Sequence, residues 1–282
     1  MAYTGTDHEE DLMSGRLENK VAIVTGGGRG VGAAAARAYA AEGAHVVVAD
    51  IAAERAEAMA AELGSRARAV HCDVGEEAGW EELVDVALRE FGTVDVLANV
   101  AATLYLGLLV ETPLDAYLRV NRVNEVGTFL GMRTVLPIMN KAGRGSIVNY
   151  ASSGVFRVPP FHTSYIASKF AVRGLTKAAA MEASPGVRVN CVSGLGGGSA
   201  FLHEAPRSEA AQELLDATAS VKGFDQASAV DEKWFGERAV PTLVFLASDD
   251  SIGYNGADFV LDEGRSVGIT LDEMRRGAGP FG

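Results

Sequence analysis

The sequence predicts an α/β protein of doubly wound architecture, in which helices cover both faces of a parallel sheet. Short runs of valine, isoleucine and alanine recur along the 282 residues, and alanine-rich segments of helix-forming composition separate them. The runs are almost continuously apolar, a pattern typical of strands that are buried on both faces. Strands that alternate with helices in this way are joined by right-handed crossovers into a three-layer sandwich.

Seven segments have the composition of buried strands. The first runs directly into a glycine-rich turn, and the third ends in an Asp-Val pair. No internal repeat and no Pro/Ser-rich linker interrupts their order, so we expect one seven-stranded parallel sheet in one domain. The predicted strands are 21–26, 44–50, 67–74, 93–101, 145–152, 186–193 and 256–264.

Helical segments fill the intervals between these strands. Residues of high helix propensity dominate them, and Gly43 and Gly64 end the first two. The glycine-rich stretch 193–199 departs from this pattern, and we expect a mobile substrate loop at about 194–222 that includes a polar helical segment. The predicted helices are 33–43, 52–64, 76–92, 114–140, 164–183 and 234–248.

Composition and charge exclude several function classes. The formal net charge of −12 argues against nucleic acid as a partner, because phosphate binding requires a basic surface. No window approaches the length of apolar chain that spans a membrane, so no membrane association is expected. Residues 1–15 carry an acidic cluster without the apolar core of a secretory signal, and we interpret them as a flexible leader before a single domain at 16–282.

The two cysteines, Cys72 and Cys191, lie in apolar, strand-like runs. They provide neither a disulfide framework nor the ligand spacing of a metal site, so no metal is predicted. The simplest interpretation is a pair of buried, reduced thiols in a cytoplasmic protein.

The glycine-rich turn TGGGRGVG occupies residues 25–32. Gly26, Gly30 and Gly32 leave room where a strand turns into a helix, so a phosphate can approach backbone N–H groups and the helix N-terminus. Asp50 ends the second strand, the position from which a carboxylate accepts hydrogen bonds from an adenosine ribose. Its charge would repel a 2′-phosphate and therefore favours NAD over NADP. The alternative is that Asp50 is only a solvated strand-end acid.

A basic residue, Arg29, lies within the same turn. Its side chain could bind a 2′-phosphate, which keeps NADP as an alternative cofactor. Because Asp50 opposes that phosphate, NAD remains the preferred prediction.

The segment SYIASKF at 164–170 places Tyr165 and Lys169 four positions apart. On a helix this spacing puts both side chains on one face. The lysine charge would favour the phenolate and lower the tyrosine pKa from its ordinary value of about 10. Alone, the pair would be two ordinary helix residues, but the glycine turn in the same chain gives it a chemical context.

Together these motifs resemble the short-chain dehydrogenase/reductase family over residues 20–264. The family's T-G-x-x-x-G-x-G is complete at 25–32, its D-V at 73–74, and its Y-x-x-x-K falls on Tyr165 and Lys169. The resemblance implies a Rossmann sandwich and an NAD(P)-dependent oxidoreductase acting on CH–OH groups, most often as a homotetramer. We expect the apolar helices at 114–140 and 164–183 to pair between subunits.

The resemblance also implies the catalytic residues. Counting back from Tyr165 by the family spacing gives Ser152, with Ser153 as a possible rival, and the family's helix asparagine falls on Asn124. Tyr165 would be the general acid/base, Ser152 would orient the substrate oxygen, and Asn124 would hold a water that links Lys169 to solvent. The implied cofactor-binding residues are Gly26, Arg29, Gly30, Val31, Gly32, Asp50, Asp73, Val74, Asn99, Ala101, Tyr165, Lys169 and Ser199.

Three departures from the family pattern stand out. The family's N-N-A-G is NVAA at 99–102, its P-G after RVNCV is Gly194-Leu195, and LDEG at 261–264 replaces a double glycine. Loss of the proline removes a fixed φ, which favours a flexible loop that could close over substrate. Ser199 retains a hydroxyl where relatives often have a threonine on the nicotinamide amide.

An apolar secondary alcohol or its ketone is the predicted substrate, with cyclic and steroid-like compounds as candidates. Several of its candidate pocket residues could equally pack the core, and a surface role is favoured for His203. Two alternatives to an NAD-dependent enzyme remain, an NADPH-dependent ketoreductase that uses Arg29 and a dinucleotide-sensing protein without turnover. The candidate pocket residues are Leu104, Leu106, Val155, Phe156, Pro159, Phe161, Phe201, Leu202 and His203.

Overall fold

The computed structural model describes residues 15–194, 201–202, 204–218 and 238–268. Their strands form one parallel sheet in the order β3-β2-β1-β4-β5-β6-β7. This arrangement confirms the predicted α/β sandwich with seven parallel strands. The strands are β1 Val21–Thr25, β2 His45–Asp50, β3 Ala67–His71, β4 Val96–Asn99, β5 Gly145–Tyr150, β6 Val187–Gly194 and β7 Asp258–Leu261.

Eight helices of at least two turns are described with these strands. The main difference from the prediction is at 114–140, where two α-helices are separated by a π-helical turn, Arg122–Val126. Residues 1–14 of the predicted leader lie outside the described residues, as do residues 195–200, 203 and 219–222 of the predicted substrate loop. The helices are α1 Gly30–Ala41, α2 Ala53–Leu63, α3 Glu77–Phe91, α4 Leu114–Asn121, α5 Gly127–Ala142, α6 Thr163–Glu182, α7 Glu209–Thr218 and α8 Val240–Ala247.

Two hydrophobic layers, one on each face of the sheet, form the core. Successive residues of each strand point to opposite faces, so Val24 packs with α1 and α8 while Ile23 packs with α3 and α5. Trp80 is the largest fully buried side chain, and its indole N–H donates to the carbonyl of Val74 over 2.9 Å. Burial on both faces explains the almost continuously apolar strand sequences.

The strand order reverses beside β1, which has β2 on one side and β4 on the other. In open parallel sheets, the loops after such strands diverge and leave a crevice at the carboxyl ends. The glycine turn, Asp50 and Tyr150 all lie at this edge. Among the described helices, none is long and apolar enough to cross a membrane.

Two helical glycines allow a direct test of the packing that places the glycine turn. A Cβ at Gly32 would lie 2.7 Å from the carbonyl carbon of Gly26, whereas one at Gly174 would meet no atom within 4 Å. Gly32→Ala should lower the free energy of unfolding by about 1–3 kcal/mol through overpacking. Gly174→Ala should raise it by about 0.5–1 kcal/mol, because alanine loses less entropy in a helix. Urea denaturation followed by circular dichroism measures both, and equal effects would contradict the packing described.

Candidate active site

The hydroxyl of Thr25 joins the loop after β1 to the loop after β4. It accepts the N–H groups of Val100 and Ala101 over 3.0 and 3.2 Å and donates to the carbonyl of Ala98 over 3.3 Å. Gly26 follows with φ of +64°, and a Cβ there would lie 2.9 Å from the Cα of Ala101. The two loops therefore approach each other as closely as glycine allows.

Asp50 and the glycine turn are hydrogen-bonded to each other. The carboxylate accepts the N–H of Gly28 and the N–H of Ala52, each over 3.0 Å. A carboxylate has further acceptor positions, so these bonds leave capacity for ribose hydroxyls. Arg55 packs against Gly28, where its Cβ lies 2.6 Å from the position of an added Cβ. Arg55 is thus a basic residue packed against the glycine turn that the motif analysis missed.

Arg29 is the extended residue that precedes α1. Its guanidinium forms an ion pair of 2.5 Å with Glu204, which lowers the pKa of that carboxyl. Gly30 has φ of +57°, and Val31 is buried in the first turn of the helix. The turn is thus connected to the segment that follows β6.

Asp73 and Val74 have different environments at the end of β3. The Asp73 carboxylate accepts from the Arg122 guanidinium over 2.7 Å, and Arg122 also pairs with Glu76. Val74 is buried. The pairing with Arg122 was not predicted, because residue 122 lies far along the chain from the D-V motif.

The side chain of Asn99 lies inside the core. Its amide donates to Asn149 on the neighbouring strand over 2.9 Å, and Asn149 donates to Thr176 on α6 over 2.9 Å. A Cβ at Gly131 of α5 would lie 2.7 Å from the Asn99 oxygen. Only the backbone of Asn99 remains at the sheet edge where the cofactor was predicted.

Ser152, Tyr165 and Lys169 are brought together at the end of β5. Tyr165 and Lys169 share one face of α6, and the ammonium lies 5.6 Å from the centroid of the phenol ring. Ser152 accepts the N–H of Gly154 over 3.1 Å and hydrogen-bonds to the phenol of Tyr165. Of the two candidate serines, Ser152 is therefore the one bonded to the tyrosine.

Burial shifts the pKa values of the tyrosine and the lysine in opposite directions. It raises the pKa of Tyr165 to about 12, opposed by the hydrogen bond from Ser152, and lowers the pKa of Lys169 to about 8. The Lys169 ammonium donates to the carbonyl of Tyr150 over 2.7 Å. The predicted lowering of the tyrosine pKa by Lys169 is therefore not met in this structure. Removal from water favours the neutral form of each group, which is the main cause of both pKa shifts.

Asn124 occupies the π-helical turn between α4 and α5 and is fully buried. Its side-chain oxygen accepts the Thr103 N–H over 2.8 Å, and its amide donates to Ser168 over 2.9 Å. Ser168 in turn donates to the carbonyl of Tyr165 over 2.6 Å. Asn124 thus supports the turn of α6 that carries Tyr165. Its predicted water-holding role stays a prediction.

The family model for short chain dehydrogenases matches residues 20–205. The 3-alpha-(or 20-beta)-hydroxysteroid dehydrogenase of Mycobacterium tuberculosis is 41% identical over 269 residues, which cover 93% of this chain and 95% of the relative. The D-threitol dehydrogenase of Mycolicibacterium smegmatis is 38% identical over 260 residues, covering 89% and 95% of the two chains. This chain belongs to the short-chain dehydrogenase family. It is an oxidoreductase that acts on CH–OH groups with a nucleotide cofactor.

Two solved structures share the fold of this short-chain dehydrogenase. A 3-ketoacyl-(acyl-carrier-protein) reductase from Brucella melitensis in complex with NADH has a TM-score of 0.77 and 30% identity, covering 89% of this chain and 99% of that one. An NAD⁺-bound xylitol dehydrogenase has a TM-score of 0.74 and 28% identity, covering 87% and 98%.

Apolar side chains surround Tyr165 of the dehydrogenase. The Phe201 ring lies 5.9 Å from the phenol ring, and Phe161 has φ of +65°, a strained conformation for a bulky residue. Phe156 instead lies 4.5 Å beneath the guanidinium of Arg173 and is half exposed. Ser199 and His203 lie outside the described residues. Five predicted pocket residues join the cluster with Tyr165, namely Leu104, Leu106, Phe161, Phe201 and Leu202.

Motif analysis missed two further groups beside the dehydrogenase site. His162 lies edge-on to Tyr165, with ring centroids 6.3 Å apart, and burial lowers its pKa. Tyr150 has a buried hydroxyl without a hydrogen-bond partner among the residues that the structure describes. The sequence does contain a signal of the Tyr150 hydroxyl, namely the glycine at 194 in place of the family proline, because Gly194 packs against Tyr150.

Proposed function

We propose that this dehydrogenase interconverts apolar secondary alcohols and their ketones with NAD(H), and that Tyr165 is the general acid/base. The observation that carries the proposal is the buried convergence of Ser152, Tyr165 and Lys169 beside an apolar cluster. Carbonyl reduction by a hydride requires a hydrogen-bond donor that holds the substrate oxygen beside a general acid, with a positive charge close by.

Each of the three side chains has a role in moving the substrate proton. The Ser152 hydroxyl orients the substrate oxygen toward the phenol. With a pKa raised to about 12, Tyr165 is protonated at neutral pH and is ready to donate its proton to a ketone oxygen. Lys169, fixed by the Tyr150 carbonyl, supplies positive charge that stabilises the phenolate left behind. The bound nicotinamide supplies or accepts the hydride.

The glycine turn and Asp50 fit a dinucleotide without a 2′-phosphate. Gly26 and Gly30 have positive φ, and the Asp50 carboxylate faces the N–H of Gly28, where a further negative charge would be repelled. Arg29, the residue that could favour NADP, is paired with Glu204. The NADH and NAD⁺ of the two structural neighbours support the same preference. The remaining cofactor contacts, including those of Asp73, Val74, Ala101 and Ser199, stay proposals.

The apolar cluster around Tyr165 favours a hydrophobic, cyclic substrate over a polyol. Its members come from four separate segments, namely 104–106, Val120 of α4, 161–166 and 201–211. Among the relatives, the hydroxysteroid dehydrogenase name agrees with this lining better than the threitol dehydrogenase name does. Burial of an apolar ring against such a surface supplies binding free energy in proportion to the area buried.

We further propose a homotetramer in the cytoplasm. Large apolar side chains are exposed on three successive helices, a pattern that marks interaction surfaces, and the two cysteines are free and buried. The exposed side chains are Leu114 and Leu118 on α4, Phe129 on α5, and Phe170 and Met181 on α6.

Tyr165→Phe tests the acid/base assignment. The variant keeps the ring but loses the proton donor, so kcat should fall about 10²–10⁴-fold while the Kd for NADH is unchanged. Nicotinamide absorbance with apolar cyclic ketones measures turnover, and fluorescence titration measures binding. Tyr105→Phe is the matched control, because Tyr105 packs against the same apolar cluster. Comparable turnover in Tyr165→Phe and wild type would show that another group transfers the proton.

Ketone reduction should decline at alkaline pH. Reduction needs the protonated phenol of Tyr165 and the charged ammonium of Lys169. The lysine pKa is lowered to about 8 and the tyrosine pKa is raised to about 12, so the lysine loses its proton first as the pH rises. We expect kcat/KM for reduction to be flat below about pH 8 and to fall above it, and alcohol oxidation to rise with pH. NADH titrations at each pH show whether the fall in kcat/KM comes instead from weaker binding of the cofactor. A reduction rate that stays constant well above pH 8 would exclude a requirement for the lysine charge.

Asp50→Asn tests the cofactor preference. Wild type should bind NADH more tightly than NADPH. Asp50→Asn should lower the ratio of the Kd for NADPH to the Kd for NADH about tenfold, because it removes the charge that repels the 2′-phosphate. Arg55→Ala is the companion variant, since loss of this nearby guanidinium should weaken NADPH only. Fluorescence titration of both cofactors gives the NADPH-to-NADH ratio of Kd values for wild type and for each of the two variants. Tighter binding of NADPH by wild type would overturn the assignment to NAD.

A further inference from the structure

Tyr150, the last residue of β5, carries a buried hydroxyl that lacks a hydrogen-bond partner among the described residues. The side chain as a whole is 7% exposed. Burying an unpaired polar group is unfavourable, and such groups are rare in folded proteins unless they serve a ligand or a water. A phenylalanine would fill the same space without this cost, so the hydroxyl calls for an explanation.

Gly194 accommodates this phenol. It is the last residue of β6, which pairs with β5, and a Cβ at this position would overlap the Tyr150 hydroxyl and lie 2.6 Å from the ring carbon that carries it. No residue with a side chain fits there while Tyr150 keeps its position. The glycine that replaces the proline expected at 194 is therefore the packing counterpart of the tyrosine.

Tyr150 shares a hydrophobic cluster with a residue of the glycine turn and contacts Lys169 through its backbone. The Tyr150 ring packs in the same cluster as Val31 of the glycine turn and Val192 of β6. The backbone carbonyl of Tyr150 accepts the Lys169 ammonium over 2.7 Å. Tyr150 is also close enough to Tyr165 for the two phenols to interact electrostatically. A hydride can reach a substrate held by Tyr165 only if the nicotinamide end of the dinucleotide enters this region.

We propose that the Tyr150 hydroxyl is a cofactor-binding group that hydrogen-bonds to the carboxamide of the bound nicotinamide, with Gly194 providing the space. The inference rests on the proposed NAD-dependent function. A phenol can donate to the carboxamide oxygen or accept from its nitrogen. Either bond satisfies the buried hydroxyl and fixes which face of the ring is turned to the substrate.

Tyr150→Phe tests the assignment with two ligands, NADH and ADP-ribose. ADP-ribose lacks the nicotinamide, so it reports on the rest of the site. The variant should raise the Kd for NADH about tenfold, the effect of one lost hydrogen bond, and leave the Kd for ADP-ribose unchanged without lowering the Tm. Tyr39→Phe is the matched control, because Tyr39 is buried in the same cluster but donates to the carbonyl of Leu243. It should bind both ligands as wild type does.

Three results would overturn the inference. Unchanged NADH affinity in Tyr150→Phe would mean that the hydroxyl is simply unpaired. Equal weakening of NADH and ADP-ribose would mean that the ring supports the site as a whole. Failure of wild type to bind NADH at all would reject the proposed function itself, which the other two results leave intact.

Discussion

The buried ammonium of Lys169, bonded to the last carbonyl of β5, is the contact on which the geometry of the site depends. An ammonium removed from water is costly unless it is hydrogen-bonded, so this bond fixes the rotation of α6 against the sheet. Tyr165, one helical turn earlier, must then face the end of β5, where Ser152 begins the next turn of chain. One polar contact therefore sets the positions of all three side chains.

A series of buried amides and hydroxyls connects α6 to its neighbouring elements. Asn149 links α6 to β4 through Thr176 and Asn99, and Asn124 links it to the π-helical turn through Ser168. Such networks strengthen when every member is satisfied and discriminate against other packings of the helix. The apolar layers stabilise the sandwich. These polar contacts determine the position of α6 along its own axis and its rotation about that axis.

The sheet and the alternation of elements could be predicted from local composition, and the pairing of Tyr165 with Lys169 from spacing within one helix. The place of Ser152 beside them was implied by the resemblance to the short-chain dehydrogenase/reductase family. The inward position of the Asn99 side chain could not be predicted from the sequence, because it depends on which strand lies beside β4 and on the space beside Gly131. The direction of the tyrosine pKa shift likewise depends on burial by several segments at once. The π-helical turn was invisible, because its residues continue the helical pattern on either side.

That turn has a consequence for how the chain can evolve. A π-helical turn contains one residue more than a regular helix needs, and its wider turn absorbs that residue without rotating the helices on either side. Deletion of one residue at Arg122–Val126 would join α4 to α5 as a regular helix and close the wide turn. The Asn124 side chain would then be redirected and would lose its bond to Ser168. The segment can therefore accept substitutions at its exposed positions, but the number of its residues is fixed by the site it supports.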